Sequence, residues 1–337
     1  MIMKELTPPQ RLFLTQILKT RLIIGHSKYK DIEKDLAKRW AGYRGEIALA
    51  NYVKELPKEK YLIFHDLQLQ FNGIHFQIDT LLLSLSYILI IEAKNIAGTL
   101  TFDNTFKQLI RNHDDGTEEC FEDPRVQCQR LQSLLCNWLI KNHCNVLPVD
   151  TLIFFKSIST ILKTNSGDKT DFTKICKGRD IFNKINSMEQ RYQQEKISSE
   201  TMIKIGNLLL SQHSPKPINI LKEHTLTEKD IRCGVCCPNE KCNHIPMNYK
   251  RGNWNCPACL IISKDAILIT LSHYFYLYKP TITNLELRNF LLLPTPDTTQ
   301  KVVHRLNLQT TGNTKNRLYY LNPKKVPSCD LSLKTTS

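Results

Sequence analysis

Two carboxylates and one ammonium in this chain fall where they could do chemistry together. Ile74 to Leu83 and Tyr87 to Ala93 read as strands, apolar on both faces, as expected at the centre of a covered sheet. The link between them centres near Leu85-Ser86. A hairpin symmetric about that point places Asp79 directly opposite Glu92. Two acids facing each other in a buried sheet repel and lose hydration. A divalent cation offsets both costs, and carboxylate oxygens suit magnesium or manganese. Lys94 lies two residues beyond Glu92 and so projects to the same face. An ammonium there can orient a water or stabilise charge on a phosphate. The same spacing also fits a buried salt bridge between Lys94 and one acid, and spacing alone leaves both readings open.

A second group of reactive residues lies far along the chain. Of the 12 cysteines, six fall between Cys233 and Cys259. Without a secretory signal, clustered cysteines read as a metal site before they read as disulfides. The pairs Cys233-x2-Cys236 and Cys256-x2-Cys259 have zinc-ribbon spacing, which predicts one Zn2+ held by four thiolates with no open position. Gly234 and Pro257 suit the tight turns, and Trp254 could cover the site. Cys237, Cys242 and His244 are further candidates. Metal would supply the folding energy of this polar segment.

The elements that must carry the acids can be read from periodicity. Asp31 to Leu56 is a helix with apolar residues at Ile32, Leu36, Trp40, Ile47 and Val53, crossed by Gly42 and Gly45 and ended by Pro57. Tyr61 to Phe71 is a strand running into Asn72-Gly73, a hairpin dipeptide. Gly98 to Phe102 and Phe106 to Arg111 are shorter edge pieces. Asp123-Pro124 opens a helix to about Asn142. Leu147 to Phe155 is a returning strand, and Ile181 to Gln193 and Ser199 to His213 are helices. Ser214-Pro215-Lys216-Pro217 reads as a linker.

These pieces together resemble the NERD family, the nuclease-related domain, a branch of the PD-(D/E)XK nucleases. The matching residues are Arg44-Gly45-Glu46, Phe76-Gln77-Ile78-Asp79, Ile90-Ile91-Glu92-Ala93-Lys94-Asn95 with Gly98, and Asp123-Pro124-Arg125-Val126-Gln127, in the family's order and over about a third of the chain. The resemblance implies a restriction-endonuclease-like α/β core, a mixed sheet flanked by helices. It also implies Glu46 on the leading helix, Asp79 and Glu92 as ligands of Mg2+ or Mn2+, Lys94 as the catalytic lysine, and Gln127 on the following helix. Asp123 departs from the family, which more often has Asn there; either caps the helix. An exposed helix charge is the ordinary fate of a residue such as Glu46, and a surface position that of Gln127. Gly45 beside Glu46 would let the helix approach the sheet. Gln129 competes with Gln127 but lies on another side of the helix.

The chain closes with Asp265 to Tyr278, a helix, and then a short α-α-β-β unit. Thr283-x-x-Glu286 is a capping box and Asp297-x-x-Gln300 a similar start. Two short helices and a basic hairpin resemble a winged helix-turn-helix. Lys301, His304 and Arg305 would then lie on or beside a recognition helix, and Lys315 and Arg317 on the wing. A protein-interaction or packing domain with a basic surface is the other reading.

The 337 residues suggest several units. The expected division is an N-terminal helical segment 1–40, a nuclease-like core 41–160, a helical extension and linker 161–225, a zinc-ribbon segment 226–262 and a winged-helix-like unit 263–325. A net charge of +14 favours a polyanionic partner, since each neutralised phosphate releases counterions. The longest apolar run, Leu81 to Ile91, is broken by serines and is too short to span a bilayer. No signal peptide is read in Met1 to Gly25, so a cytoplasmic chain is expected. The expected function is metal-dependent hydrolysis of phosphodiesters, DNA first, with ribbon and tail holding substrate or partner. A homodimer or protein partner through the tail is a further option. The alternative is a non-catalytic nucleic-acid-binding or adaptor protein on a nuclease fold.

Overall fold

The computed structural model describes residues 1–113, 115–144, 147–165, 170–312 and 317–320. In chain order the elements are β1 Ile2–Lys4, α1 Gln10–Arg21, α2 Tyr29–Val53, β2 Leu62–Phe71, β3 Ile74–Leu83, β4 Ile88–Lys94, β5 Thr99–Asp103, β6 Gln108–Asn112 and β7 Glu118–Glu122. Then come α3 Pro124–Lys141, β8 Val149–Phe155, β9 Ile161–Thr164, β10 Ile175–Lys177, α4 Asp180–Arg191, α5 Ser199–Ser211 and α6 Ile220–Glu223. The last are β11 Asn248–Lys250, β12 Asn253–Asn255, β13 Ile262–Ser263, α7 Ala266–Leu277, β14 Ile282–Thr283, α8 Asn284–Leu291, α9 Pro296–Leu306, β15 Gln309–Thr311 and β16 Leu318–Tyr320. Among the described residues, no helix is long and apolar enough to cross a membrane.

The chain forms two compact units: Met1–Pro9 with Lys38–Pro217, and Gln10–Ala37 with the described residues from Ile218 on. This division differs from the expected one. The first residues are not a helical segment, because Ile2–Lys4 joins a sheet as β1. Helices α4 and α5 are layers of the first unit rather than an extension. The thiol segment and the closing helices share one core in the second unit. The boundary between the units falls just after Pro217.

The first unit is built on a six-stranded mixed sheet in the order β1-β2-β3-β4-β8-β10. Strands β2, β3 and β4 are antiparallel neighbours; β4, β8 and β10 are parallel. Helices α3 and α5 cover one face through Leu131, Leu135, Trp138, Ile205 and Leu209. The other face packs on α2 and α4 through Leu49, Val53, Ile181 and Ile185. Burial on both faces is why these strands are apolar without alternation. A second sheet, β7-β6-β5-β9, packs its own cluster of Leu100, Phe102 and Leu109 with Ile153 and Phe155.

One irregularity matters for the site. On β2, Leu62 and Phe64 share a cluster with Leu67 and Leu69, so the buried parity changes at Asp66. On β3 it changes between Ile78 and Leu81. Both strands exchange faces at the same level, and Asp66 itself has a left-handed φ of 49°. A slip of one residue moves every side chain to the opposite face, so this level is where polar groups can stand in an otherwise apolar sheet.

Helix α3 begins where the sequence placed it. Asp123 is its cap, fully buried, accepting from Arg125 N at 2.8 Å, with the Arg125 guanidinium 2.6 Å from its carboxylate. We expect Asp123→Ala to remove both the cap and the partner of a buried cation, costing about 3 kcal/mol in a denaturant titration. Asp123→Asn keeps the cap acceptor and should cost clearly less. An unchanged midpoint for Asp123→Ala would show that this contact does not hold α3.

Candidate functional site

The β3–β4 register is Thr80↔Ile91, Leu81↔Ile90, Leu82↔Leu89 and Leu83↔Ile88. Asp79 and Glu92 are the next residues along that register. The carboxylate of Asp79 reaches across the strands and accepts from Ala93 N at 2.9 Å. Glu92 is buried and Asp79 half-buried. Lys94 Nζ donates to Glu92 Oε1 at 2.9 Å and to Gln127 Oε1 at 2.8 Å. Gln127 Nε2 donates to the same Glu92 oxygen at 2.6 Å. The three side chains thus form a closed ring, and both bonds to Glu92 fall on Oε1. Oε2 of Glu92 and Oδ1 of Asp79 carry no hydrogen bond among the described residues. Gln129, the competitor of Gln127, is exposed.

Glu46 arrives from α2. A Cβ at Gly45 would stand 3.0 Å from Asn95 Cβ, so glycine lets the helix touch the end of β4. Asn95 Nδ2 donates to Ala41 O at 2.7 Å and fixes that approach. Oε2 of Glu46 is buried without a hydrogen-bond partner. Burial, then the charges of Asp66 and Glu92, push its carboxyl up to about 7, against the pull of Lys4. Burial, then Glu92 and Glu46, hold Asp79 well above the usual carboxylate range, although the Ala93 N–H and Lys94 oppose this. Burial disfavours the charged form of Lys94, but Glu92 outweighs it and leaves the ammonium above its ordinary value.

Sequence reasoning missed Asp66 and Lys4. Asp66 is buried on β2, with Lys4 Nζ 3.6 Å from its carboxylate and Gln68 Nε2 donating to it at 2.9 Å. The β2–β3 register runs from Leu62↔Leu83 to Phe71↔Ile74 around Asn72-Gly73 and sets Asp66 opposite Asp79, the one position where the ladder is interrupted. The signal was present: the symmetry rule that pairs Asp79 with Glu92 about Leu85-Ser86 also pairs Asp66 with Asp79 about Asn72-Gly73. Lys4 had no such signal, because its strand pairs in parallel with a distant segment.

Residues 41–156 match the family model of the nuclease-related domain, NERD. No curated protein and no solved structure matches the chain. The NERD segment runs from the second half of α2 to the end of β8 and contains Glu46, Asp79, Glu92, Lys94 and Gln127. Lys4 lies outside it, as do β10, α4 and α5. The NERD segment is mixed α/β, consistent with a nuclease-like core.

The second unit brings together four thiols, and they are not the four expected. Cys237, Cys242, Cys256 and Cys259 converge with their sulfurs all within 4.8 Å of one another, a set that could hold a metal ion. Cys256 and Cys259 were expected there; Cys233 and Cys236 are replaced by Cys237 and Cys242. The turn around Gly234 is drawn elsewhere. Gly234 N donates to Phe290 O at 2.6 Å and Cys236 N to Thr270 Oγ1 at 3.0 Å. The buried Arg21 guanidinium donates to the carbonyls of Arg232 and Gly234. The segment 237–244 instead closes on itself, Cys237 N to His244 O at 2.9 Å and Cys242 N to Asn239 O at 2.9 Å.

Near the C-terminus, α7, β14, α8, α9, β15 and β16 follow one another, with a sheet ordered β14-β16-β15. The Thr283–Glu286 capping box is present. The next helix is capped by Thr295, with Pro296 as its first residue, rather than by Asp297. Lys301, His304 and Arg305 are exposed on α9, and Arg305 donates to Gly252 O. Arg317 is half-buried before β16; Lys315 lies outside the described residues.

The raised Glu46 carboxyl has a consequence for stability. Its ordinary value is 4.5, and the fold holds the proton up to about 7. The native state therefore binds more protons than the unfolded chain between those values, and stability falls as pH rises through them. On the order of 3 kcal/mol separates pH 4 from pH 8 through this group. In metal-free protein, Glu46→Gln should gain on the wild type progressively from pH 4.5 to 7 and hold a constant advantage above. Urea titrations across that range check it; a pH-independent difference would contradict the burial of Glu46.

Proposed function

We propose that this chain is a metal-dependent nuclease that hydrolyses phosphodiester bonds in DNA. The observation that carries the reading is the closed Lys94–Glu92–Gln127 ring set beside Asp79 and Glu46. A structural ion pair needs two partners; here a lysine is held by an acid and an amide while other carboxylate oxygens stand unbonded.

The donor set fits a hard divalent cation. Asp79 and Glu92, with Glu46 next to them, would hold Mg2+ or Mn2+, since their repulsion and the buried, unpartnered Glu46 oxygen both call for positive charge. Such a cation, when bound, polarises a phosphoryl oxygen and makes water more acidic. The residues of the chain do the rest. The Ala93 N–H locks the rotamer of Asp79. Gln127 and Glu92 fix the Lys94 ammonium in one place, charged, where it can orient a water or meet the developing charge on the phosphate. Gln127 itself is held by both neighbours, so its role is to position rather than to react.

The tail supports a nucleic-acid handle. The order helix–strand–helix–helix–strand–strand is compatible with a winged helix, in which α9 would present Lys301, His304 and Arg305, and Arg317 would lie at the wing. The charge of +14 favours the same kind of partner.

Incubation of DNA with protein and Mn2+ should give cleavage that Asp79→Asn and Glu92→Gln abolish, and that Lys94→Ala lowers by about 10²–10⁴-fold. All three variants should fold. Wild-type activity in either acid variant would remove the assignment. RNA cleaved in preference to DNA would overturn the substrate.

For the handle, Lys301→Ala and Arg317→Ala in a Lys94→Ala background should weaken duplex binding. Each should flatten the salt dependence by about one unit. Coincident salt titrations would instead favour a protein-binding tail.

A further inference from the structure

The four converging thiols have the dimensions of a particular coordination sphere. A tetrahedral ion with metal–sulfur distances of about 2.3 Å sets its sulfurs about 3.8 Å apart. Here Cys237 Sγ and Cys259 Sγ are 3.5 Å apart, and Cys242 Sγ and Cys256 Sγ 3.6 Å. Those distances are far too long for a disulfide of about 2.05 Å. All six sulfur–sulfur separations are within 4.8 Å. Such crowding of thiols costs free energy unless something binds them together. Soft thiolates select zinc over hard cations, and four of them leave no position for a substrate.

The surroundings say what the site supports. Cys237 and Cys256 are buried in the same cluster as Val235, Met247 and Trp254, and that cluster continues through Ile267 and Leu271 of α7, Leu287 and Phe290 of α8, and Val302 and Val303 of α9. Strands β11, β12 and β13 around the thiols have three, three and two residues, too few for a core of their own. Two loops, 237–242 and 256–259, are therefore fastened at the end of a core that the closing helices complete.

We infer that Cys237, Cys242, Cys256 and Cys259 bind one structural zinc ion, and that this ion fastens the core they share with helices α7 to α9, rather than an independent ribbon. Cys233 and Cys236 are not ligands. Zinc binding releases the protons of the four thiols and changes no oxidation state. The inference is independent of the nuclease reading, because neither its residues nor its test involves catalysis.

The test uses the full chain, purified under reducing conditions without chelator. Elemental analysis should find about one zinc per chain. Mass spectrometry after brief alkylation should find Cys237, Cys242, Cys256 and Cys259 protected, and all four should become labelled once a strong chelator removes the metal. Exposed Cys233 should label equally with and without metal. Hydrogen exchange on the same wild-type samples should show α7, α8 and α9 losing protection on chelation. Cys242→Ser should lose most of the zinc, whereas Cys233→Ser should keep it. Protection of Cys233 and Cys236 in place of Cys237 and Cys242, iron in place of zinc, or less than about half a zinc would overturn the ligand set. Helices that keep full protection after chelation would overturn the structural role. The labelling and exchange arms need no variant, so a variant that fails to fold leaves the test decisive.

Discussion

Carboxylate repulsion at one level of the central sheet is the constraint around which the first unit is arranged. Asp66, Asp79 and Glu92 stand on three adjacent strands at a single register level, and Glu46 approaches from the helix above. Gathering them out of water is unfavourable: Asp66 and Glu92 strengthen the hold of Glu46 on its proton, and Glu92 and Glu46 strengthen that of Asp79. The fold accommodates this by breaking the ladder at Asp66, by exchanging the buried faces of β2 and β3 there, and by setting one lysine at each side, Lys4 beside Asp66 and Lys94 beside Glu92. The apolar sheet on either side supplies the stability that the cluster lowers.

The helices serve that level. Gly45 permits α2 to come close enough for Glu46 to enter. The buried Asp123–Arg125 pair anchors the first turn of α3, and Gln127 follows within the same turn, where it closes the ring with Glu92 and Lys94. The positions of Glu46 and Gln127 thus use two local backbone devices, a small residue and a cap, together with the apolar packing of the helices that carry them.

The second unit meets its problem differently. Its strands are two and three residues long, and its core reaches from the thiols to the last helix. Buried Arg21 holds the Gly234 turn through backbone carbonyls and stacks 4.6 Å from Phe290, which withdraws Cys233 and Cys236 from the thiol cluster. Three cysteines between 233 and 237 offered more than one ribbon spacing. A hydrogen-bond contest around one turn decided between them.

Local rules account for what the sequence by itself determined. A hairpin's register follows from its turn, so Asp79 against Glu92 was legible, and Lys94 followed from the two-residue period of a strand. Asp123 was legible as a cap because capping is decided within four residues. The four NERD segments placed Glu46 and Gln127 by resemblance rather than by physics. Tertiary structure alone decided the rest. Lys4 reaches Asp66 through a parallel pairing between segments some sixty residues apart, for which the chain carries no turn signal. The parity change on β2 and β3 arises from packing on both faces of the sheet at once. The choice of Cys237 and Cys242 over Cys233 and Cys236 rests on Arg21, Thr270 and Phe290, residues that spacing cannot bring into view. Contacts set by short-range geometry can be counted along a chain; contacts set by competition among distant groups exist only once the chain has folded.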